Sequence, residues 1–325
     1  MNLPDLFVNG AGRLRAFWRL AAFTVVYMCV LTGLFLAVRF GAARLLPKGS
    51  GRLLAETGWG FAVQSLIFFA AAAVVGWVCA LALEELPWRS LGWALHRSWS
   101  RDLVKGLLVG ALSVGLAAAL GAALGSYRFS FGGEAGSGAV ARTLLVSCVI
   151  FMMGAAAEEM LFRGYPLQTI LRAWPFRLAL VPTSVVFGLV HMDNPNVAPA
   201  FTFVNTFLAG VLLVVAYWRT RSLWFPFGLH WGWNYAQGAL IGSPVSGIKS
   251  ITPHPVLNFS DTGPAWLGGG AYGIEGGALC TLVLALTTLY VWRTRLLSAT
   301  PEMRQYTEGE NPEDKRGEGG HLNLQ

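Results

Sequence analysis

Long apolar runs separated by short polar segments are the main pattern along the chain. An α-helix needs about 20 predominantly apolar residues to cross the hydrocarbon core of a bilayer. Each run is therefore read as one spanning helix, and the pattern predicts an all-α, polytopic membrane helix bundle of about eight transmembrane helices. The predicted spans lie at residues 17–38, 59–83, 106–125, 143–162, 178–192, 200–218, 223–241 and 273–292.

The segments outside the spans divide the chain into three predicted parts. Residues 1–16 form a short lead, residues 17–298 form the transmembrane domain, and residues 299–325 form a tail. The tail is polar, rich in acidic residues, and contains Pro and Gly. Such a composition offers too little apolar surface for a packed structure, so we expect the tail to be disordered.

Composition supports a membrane protein. Hydrophobic residues make up 54% of the 325 residues and charged residues only 13%, whereas soluble proteins carry about 25% charged residues. The net charge of +7 comes from basic residues in the loops, as expected for a membrane protein, and does not indicate a nucleic-acid partner. All four cysteines lie in apolar runs, which predicts neither disulfides nor a CxxC metal site.

The positions of the basic residues predict the orientation. If the N-terminus lies inside, 17 of the 24 Lys and Arg residues fall on the inner side and 7 on the outer side. This bias predicts both termini in the cytoplasm, with the protein integral to the plasma (inner) membrane. The long segment 242–272, rich in Gly and Pro, then lies outside. We expect it to be a connector, with a lid as the alternative.

Three charged residues close the fourth run, in the sequence Glu158-Glu159-Met-Leu-Phe-Arg163. A charge deep in a membrane segment costs on the order of 3 kcal/mol, so such residues are rare and mark functional sites. Glu159 and Arg163 are four residues apart, so they share one helix face and can pair. Glu158 points about 100° away from Glu159. The spacing predicts that Glu158 is left for another role.

Two histidines and an amide occur in later spans, in the sequences Phe187-Gly-Leu-Val-His191 and His230-Trp-Gly-Trp-Asn234. Either histidine alone is more often a hydrogen-bonded core residue than a functional one. At 1.5 Å per residue, and with the fourth helix continuing to about Arg172 with a kink at Pro166, Glu158 and His191 both lie roughly 20 Å above the inner end. His230 lies at roughly 10 Å and Asn234 at roughly 16 Å. The four groups are therefore predicted to meet in one cavity that opens to the cytoplasm.

A carboxylate, two imidazoles and an amide in a wet cavity can hydrolyse a bond. Glu158 would act as general base on a water molecule. Zn²⁺ held by Glu158, His191 and His230 is one arrangement. The other has both histidines position the water directly and, with Asn234, stabilise the oxyanion. The sequence leaves both open, and it contains no HExxH motif.

These motifs resemble the CAAX protease and bacteriocin-processing (CPBP) family of intramembrane metalloproteases, which includes the type II CAAX prenyl endopeptidases. That family is marked by EExxxR, FxxxH and HxxxN/D motifs on separate helices, and all three occur here, in order, between residues 143 and 241. The resemblance implies an intramembrane endopeptidase with Glu158 as catalytic base and Glu159 and Arg163 as its support. It implies His191, His230 and Asn234 as ligands of water, metal or oxyanion.

Three functions are therefore compared. The first is an endopeptidase that hydrolyses a peptide bond near the cytoplasmic membrane face. The second is a catalytically silent membrane binding or immunity protein on the same fold. A proton-coupled transporter using Glu158 is disfavoured, because the sequence has no internal repeat. The expected partners are membrane lipid and a peptide or protein substrate. Its identity and lipidation, and the oligomeric state, do not follow from the sequence.

Overall fold

The computed structural model describes residues 6–9, 12–45, 58–132 and 136–307. A helix occupies each predicted span, which confirms the all-α membrane bundle. The helices from the N-terminus to the central motif are α1 (Ala16–Leu45), α2 (Trp59–Glu84), α3 (Trp99–Ala123) and α4 (Ser137–Arg163). Those that follow are α5 (Tyr165–Ala173), α6 (Phe176–Val190), α7 (Pro199–Thr220), α8 (Trp224–Tyr235), α9 (Ala278–Arg293) and α10 (Pro301–Thr307).

The helices differ in how well they suit a membrane span. Within the described residues, six helical units are long and apolar enough to cross a bilayer, namely α1, α2, α3, α4 with α5, α6 and α7. The last two predicted spans are shorter: α8 has 12 residues and continues as a π-helical turn, Ala236–Ile241, and α9 has 16. The predicted number of eight crossings therefore stays a prediction. Burial of the apolar window is 56% in α7 and 11% in α1, so α7 is central and α1 peripheral.

The fourth predicted helix breaks at Gly164, not at Pro166. Gly164 has φ −66° and ψ −125°, outside the helical region. A side chain here would collide with the carbonyl oxygen of Met160. Pro166 lies in the first turn of α5, where its missing N–H and fixed φ are tolerated. The chain thus continues past Arg163 to Ala173, as the depth estimate assumed, but as two helices.

Two segments predicted as connectors pair with each other. Strands β1 (Tyr127–Phe131) and β2 (Leu257–Asp261) form an antiparallel two-stranded sheet in which Tyr127 faces Asp261. The buried Tyr127 donates a hydrogen bond of 2.7 Å to the carbonyl of Gly268. The sheet therefore fixes the far part of segment 242–272 to the end of α3.

Reciprocal glycines bring α3 and α8 into close contact. Added side chains at Gly106 and Gly110 of α3 would collide with the carbonyls of Phe225 and Leu229 on α8. In return, side chains at Gly228 and Gly232 would collide with the carbonyls of Leu103 and Leu107. Both helices thus carry a GxxxG pattern, which allows close backbone approach in membrane bundles. His230 lies between the two glycines of α8 and points to the opposite face.

A buried ionic cluster, which the sequence analysis did not predict, joins α1, α2 and α5. Oε2 of Glu84, at the end of α2, lies 3.1 Å from Nη1 of Arg19 and 2.7 Å from Nη2 of Arg172. Oε1 accepts a hydrogen bond of 2.6 Å from Thr169. All four residues are buried. We call them the Glu84 cluster; it fixes α5 directly after the central motif.

The predicted disordered tail begins with an ordered segment. Residues Pro301–Thr307 form helix α10, in which Met303 and Thr307 are buried. The short apolar face of this helix packs against the bundle and overrides the polar composition of the tail as a whole. The rest of the predicted tail, 308–325, lies outside the described residues, as do residues 1–5 of the predicted lead.

Candidate active site

The three motifs converge from α4, α6 and α8. Glu158, Glu159 and Arg163 lie in the last turns of α4, and His230 and Asn234 lie on α8. His191 was predicted within a span, but α6 ends at Val190 and His191 begins a 3₁₀ turn that continues to Asp193. Because α6 ends early, His191 lies just after its C-terminal end, level with Glu158.

The predicted pair of Glu159 and Arg163 is confirmed, and it has a third member. Nη1 of Arg163 donates to Oε1 of Glu159 at 3.2 Å, and both side chains are buried. The same Oε1 lies 2.9 Å from Nδ1 of His230. Glu159 therefore does more than pair with Arg163, because it also holds the imidazole of His230.

Glu158 faces both histidines. Its Oε2 lies 3.7 Å from Nε2 of His191 and 3.8 Å from Nε2 of His230. The Glu158 side chain is 32% exposed and the two imidazoles are 12% exposed. Among the described residues, this buried oxygen has no hydrogen-bond partner. The sequence analysis predicted that Glu158, unlike Glu159, would be left unpaired, and its geometry agrees with that prediction.

The other nitrogen of each imidazole determines what faces Glu158. Nδ1 of His191 lies 2.7 Å from the carbonyl oxygen of Phe187, so it must donate a proton there. Nδ1 of His230 donates in the same way to Oε1 of Glu159. Each neutral imidazole then presents the lone pair of its Nε2 to Glu158. Three acceptor atoms face one another, and a water molecule, which can donate two hydrogen bonds, would satisfy two of them at a time.

Phe187 supports the site in two ways. Its carbonyl orients His191, and its ring lies against charged and aromatic neighbours. The guanidinium carbon of Arg163 is 4.2 Å from the ring centroid of Phe187, a cation–π contact. The imidazole of His191 lies 4.6 Å from the same ring. The aromatic residue of the FxxxH motif thus links the Arg163 pair to His191.

A cavity of about 460 Å³ opens beside Glu158. His191 and Asn234 also line it, whereas His230 lines a smaller neighbouring cavity, so three of the four predicted groups share this cavity. The remaining wall includes side chains of α1, α2 and α4 and of segment 245–251. That segment was expected to be a connector, yet it folds back to Glu158. The charge count predicts this segment on the outer side, so the cytoplasmic opening stays a prediction.

Sequence reasoning missed a second carboxylate beside the site. Glu275 lines a small cavity of about 60 Å³ together with His191, His230, Asn234 and Ser246. The sequence does contain a signal for Glu275, because this residue lies within the predicted span 273–292. It is therefore an intramembrane charge by the same argument that singled out Glu158.

Two imidazole nitrogens and a carboxylate oxygen are ligands that Zn²⁺ accepts. Among the described residues, however, no group of three or more His, Cys, Asp or Glu side chains is arranged to hold a metal ion. The expected Zn²⁺ therefore stays a prediction.

Comparison with known proteins agrees with the motifs. Residues 139–236, which carry all three, match the family model described as Type II CAAX prenyl endopeptidase Rce1-like. The chain matches no curated protein and no solved structure. The family match confirms the resemblance drawn from the sequence and, with the apolar helices, supports a CAAX-type intramembrane endopeptidase in general.

Proposed function

We propose that this integral membrane protein hydrolyses a peptide bond with a water molecule activated by Glu158. Its residues 139–236 match the Rce1-like type II CAAX prenyl endopeptidase family model, which supports the proposal. The observation that carries the proposal is the approach of Glu158 Oε2 to Nε2 of both His191 and His230, at 3.7 and 3.8 Å, at the edge of a cavity. A water molecule at this point would donate to Glu158 and to one imidazole at a time.

The chemistry follows from these positions. Glu158 takes a proton from the water while the water oxygen attacks the scissile carbonyl carbon. The amide of Asn234 donates to the oxyanion that develops on the carbonyl oxygen. The protonated Glu158 then gives its proton to the leaving nitrogen as the C–N bond breaks. The water supplies the hydroxyl of the new carboxyl group and the hydrogen of the new amine, so atoms balance.

Glu159, Arg163 and Phe187 act on the histidines in this proposal. Glu159 and the carbonyl of Phe187 keep both Nδ1 atoms protonated, so that both Nε2 lone pairs point toward the water. Arg163 neutralises Glu159 inside the bundle. This arrangement explains why two adjacent glutamates are needed: one orients a histidine and the other exchanges protons.

The test is cleavage by the purified full-length protein in proteoliposomes. We suggest two fluorogenic peptides with a C-terminal CAAX motif, one farnesylated and one not. Wild type is expected to cleave at least one, and Glu158→Gln neither. Glu302→Gln, which alters a partly exposed carboxylate on α10, is the matched control. Cleavage retained by a folded Glu158→Gln variant would overturn the role of Glu158 as base. Absence of cleavage by wild type and variant alike would favour the silent binding protein.

Metal dependence is measured on the same samples. Elemental analysis of purified protein, with activity before and after a Zn²⁺ chelator, tests the predicted ion. Stoichiometric zinc whose removal abolishes cleavage would assign the two imidazoles and Glu158 to a metal, and would replace the direct positioning of water proposed above.

A further inference from the structure

A tight turn at residues 245–248 forms part of the wall of the Glu158 cavity. Val245 and Ile248 exchange two backbone hydrogen bonds of 3.0 and 2.8 Å. The two residues between them have positive φ, 49° at Ser246 and 79° at Gly247. A two-residue turn of this kind normally carries Asn-Gly or Gly-Gly, because L side chains disfavour positive φ. Ser246 is therefore held in a strained conformation beside the site.

Glu275 holds this turn from behind. Its Oε2 accepts hydrogen bonds from the backbone N–H of Ser246 at 2.5 Å and from the Ser246 hydroxyl at 3.3 Å. Its Oε1 accepts from the indole N–H of Trp233 at 3.2 Å, on α8 next to Asn234. One half-buried carboxylate thus joins the turn to the helix that carries two of the predicted site residues.

The turn also contacts the segment that follows His191. A side chain at Gly247 would collide with the carbonyl oxygen of Pro195. The Asn196 amide donates to the carbonyl of Gly247 at 3.1 Å. Consequently, the turn is held between Glu275 on one side and the residues after His191 on the other.

The side chain of Ser246 lies where these contacts matter for chemistry. It lines the large cavity together with Glu158, His191 and Asn234, and it lines the small cavity with Glu275 and His230. The turn therefore separates the proposed reaction space from the second carboxylate. Any movement of Ser246 changes the shape of the space in which substrate and water would be held.

We propose that Glu275 is a positioning residue for the proposed hydrolysis, which acts through Ser246 and Trp233 to hold the 245–248 turn against the Glu158 cavity. This inference rests on the proposed function only for its effect on rate. The contact itself can be tested without a substrate.

Hydrogen–deuterium exchange of the purified protein tests the contact. In Glu275→Ala, peptides that cover residues 243–251 are expected to exchange at least tenfold faster than in wild type, while peptides from α3 and α8 stay protected. Glu275→Gln keeps one acceptor, so its increase should be smaller. Ser246→Gly accepts positive φ without strain and should disturb the turn less than Glu275→Ala. Glu302→Gln should match wild type.

Kinetics on the farnesylated CAAX peptide test the role. Glu275→Ala is expected to lower kcat about tenfold, and Glu275→Gln is expected to restore part of it. The pH dependence of the rate should keep the wild-type shape, because Glu275 exchanges no proton with the substrate. A general acid or base at this position would change that shape and would overturn a positioning role.

The two measurements separate two kinds of failure. Unchanged exchange at 243–251 in a folded Glu275→Ala variant would overturn the inference, and if that variant does not fold, Glu275→Gln decides by the same criterion. Absence of cleavage by wild type would count against the proposed function on this peptide. The exchange data would still show whether Glu275 holds the turn.

Discussion

Two carboxylates inside the helix bundle have opposite surroundings. Glu84 is 1% exposed, and its two oxygens contact Arg19, Arg172 and Thr169. Glu158 is one-third exposed to a cavity, and its Oε2 faces only two imidazole nitrogens. Both are acidic residues near the end of an apolar helix. The sequence around each residue does not distinguish their roles, but the residues that each carboxylate contacts do.

This contrast indicates which carboxylates in a membrane bundle can take part in a reaction. A carboxylate whose oxygens are occupied by cations and hydroxyl groups joins helices and is not available to exchange protons. A carboxylate that has an open side and faces other acceptors can bind a water molecule and accept its proton. Glu159 falls between these two cases. It is fully buried like Glu84, but it also orients the imidazole of His230 by accepting its hydrogen bond.

Glu158→Gln should show the largest effect on activity. The amide cannot accept a proton as a base, so the cleavage rate is expected to fall by about 10² to 10⁴. The thermal midpoint should stay close to that of wild type, because Glu158 makes no buried ion pair with a cation in the described part. Rates and thermal midpoints of purified wild type, Glu158→Gln and Glu302→Gln would be compared.

Glu84→Ala should show the largest effect on stability. Removing the shared carboxylate leaves the charges of Arg19 and Arg172 buried without it, which costs about 3–5 kcal/mol in comparable cases. Denaturant unfolding in mixed micelles measures the loss. The rate per folded molecule should change little. A stable Glu84→Ala variant with no activity would contradict the assignment of Glu84 to structure.

Glu159→Gln should reduce activity by a smaller factor. The Gln side chain can donate as well as accept, so Nδ1 of His230 is no longer forced to carry the proton. Partners that orient a functional histidine are worth about 10–100-fold in activity. ¹⁵N chemical shifts of the histidine rings report the tautomer directly. An unchanged His230 tautomer together with full activity would remove Glu159 from the proposed mechanism.

Gly232→Ala should destabilise the bundle by about 1–3 kcal/mol, because the added methyl group collides with the carbonyl of Leu107. Gly115→Ala on α3 is the matched control, since no atom lies within 4 Å of the position of its added Cβ. The control should be neutral or slightly stabilising. Equal unfolding midpoints for both variants would show that the close approach of α3 and α8 is not needed.

The smallest expected effect concerns His96, in the loop between α2 and α3. Burial lowers the pKa of His96, although the nearby Glu302 opposes the shift. Below about pH 6.5 the unfolded chain then binds a proton that the folded protein does not. Stability should therefore be complete above that pH and fall as the pH falls below it. His96→Gln should reduce the loss between pH 7.5 and 5.5, measured by thermal midpoint.

The sequence predicted the parts of this protein that depend on local patterns. Apolar runs located the helices, and the spacing of four residues between Glu159 and Arg163 identified their pair. The rise per residue placed Glu158 and His191 at one depth, and they do approach each other. These are properties of single helices, or of two helices measured from a common end.

Contacts between distant segments could not be predicted in this way. The sequence analysis gave Arg19, Glu84 and Arg172 no common role, but tertiary packing brings them together and buries them. The GxxxG patterns at Gly106 and Gly228 are visible in the sequence, yet nothing local says that they face each other. Strand β2 and the 245–248 turn fold back on the bundle because of partners more than 20 residues away.

The close contact of α3 with α8 also bears on how a polypeptide would reach the water proposed beside Glu158. Helix α8 cannot swing aside without separating backbones that already touch, so it forms a fixed back wall. The opposite wall includes Tyr27 and Leu31 of α1, the helix with the smallest buried share among the candidate spans. Lateral entry of a substrate from the lipid would thus displace the peripheral helix α1 and leave α8 in place.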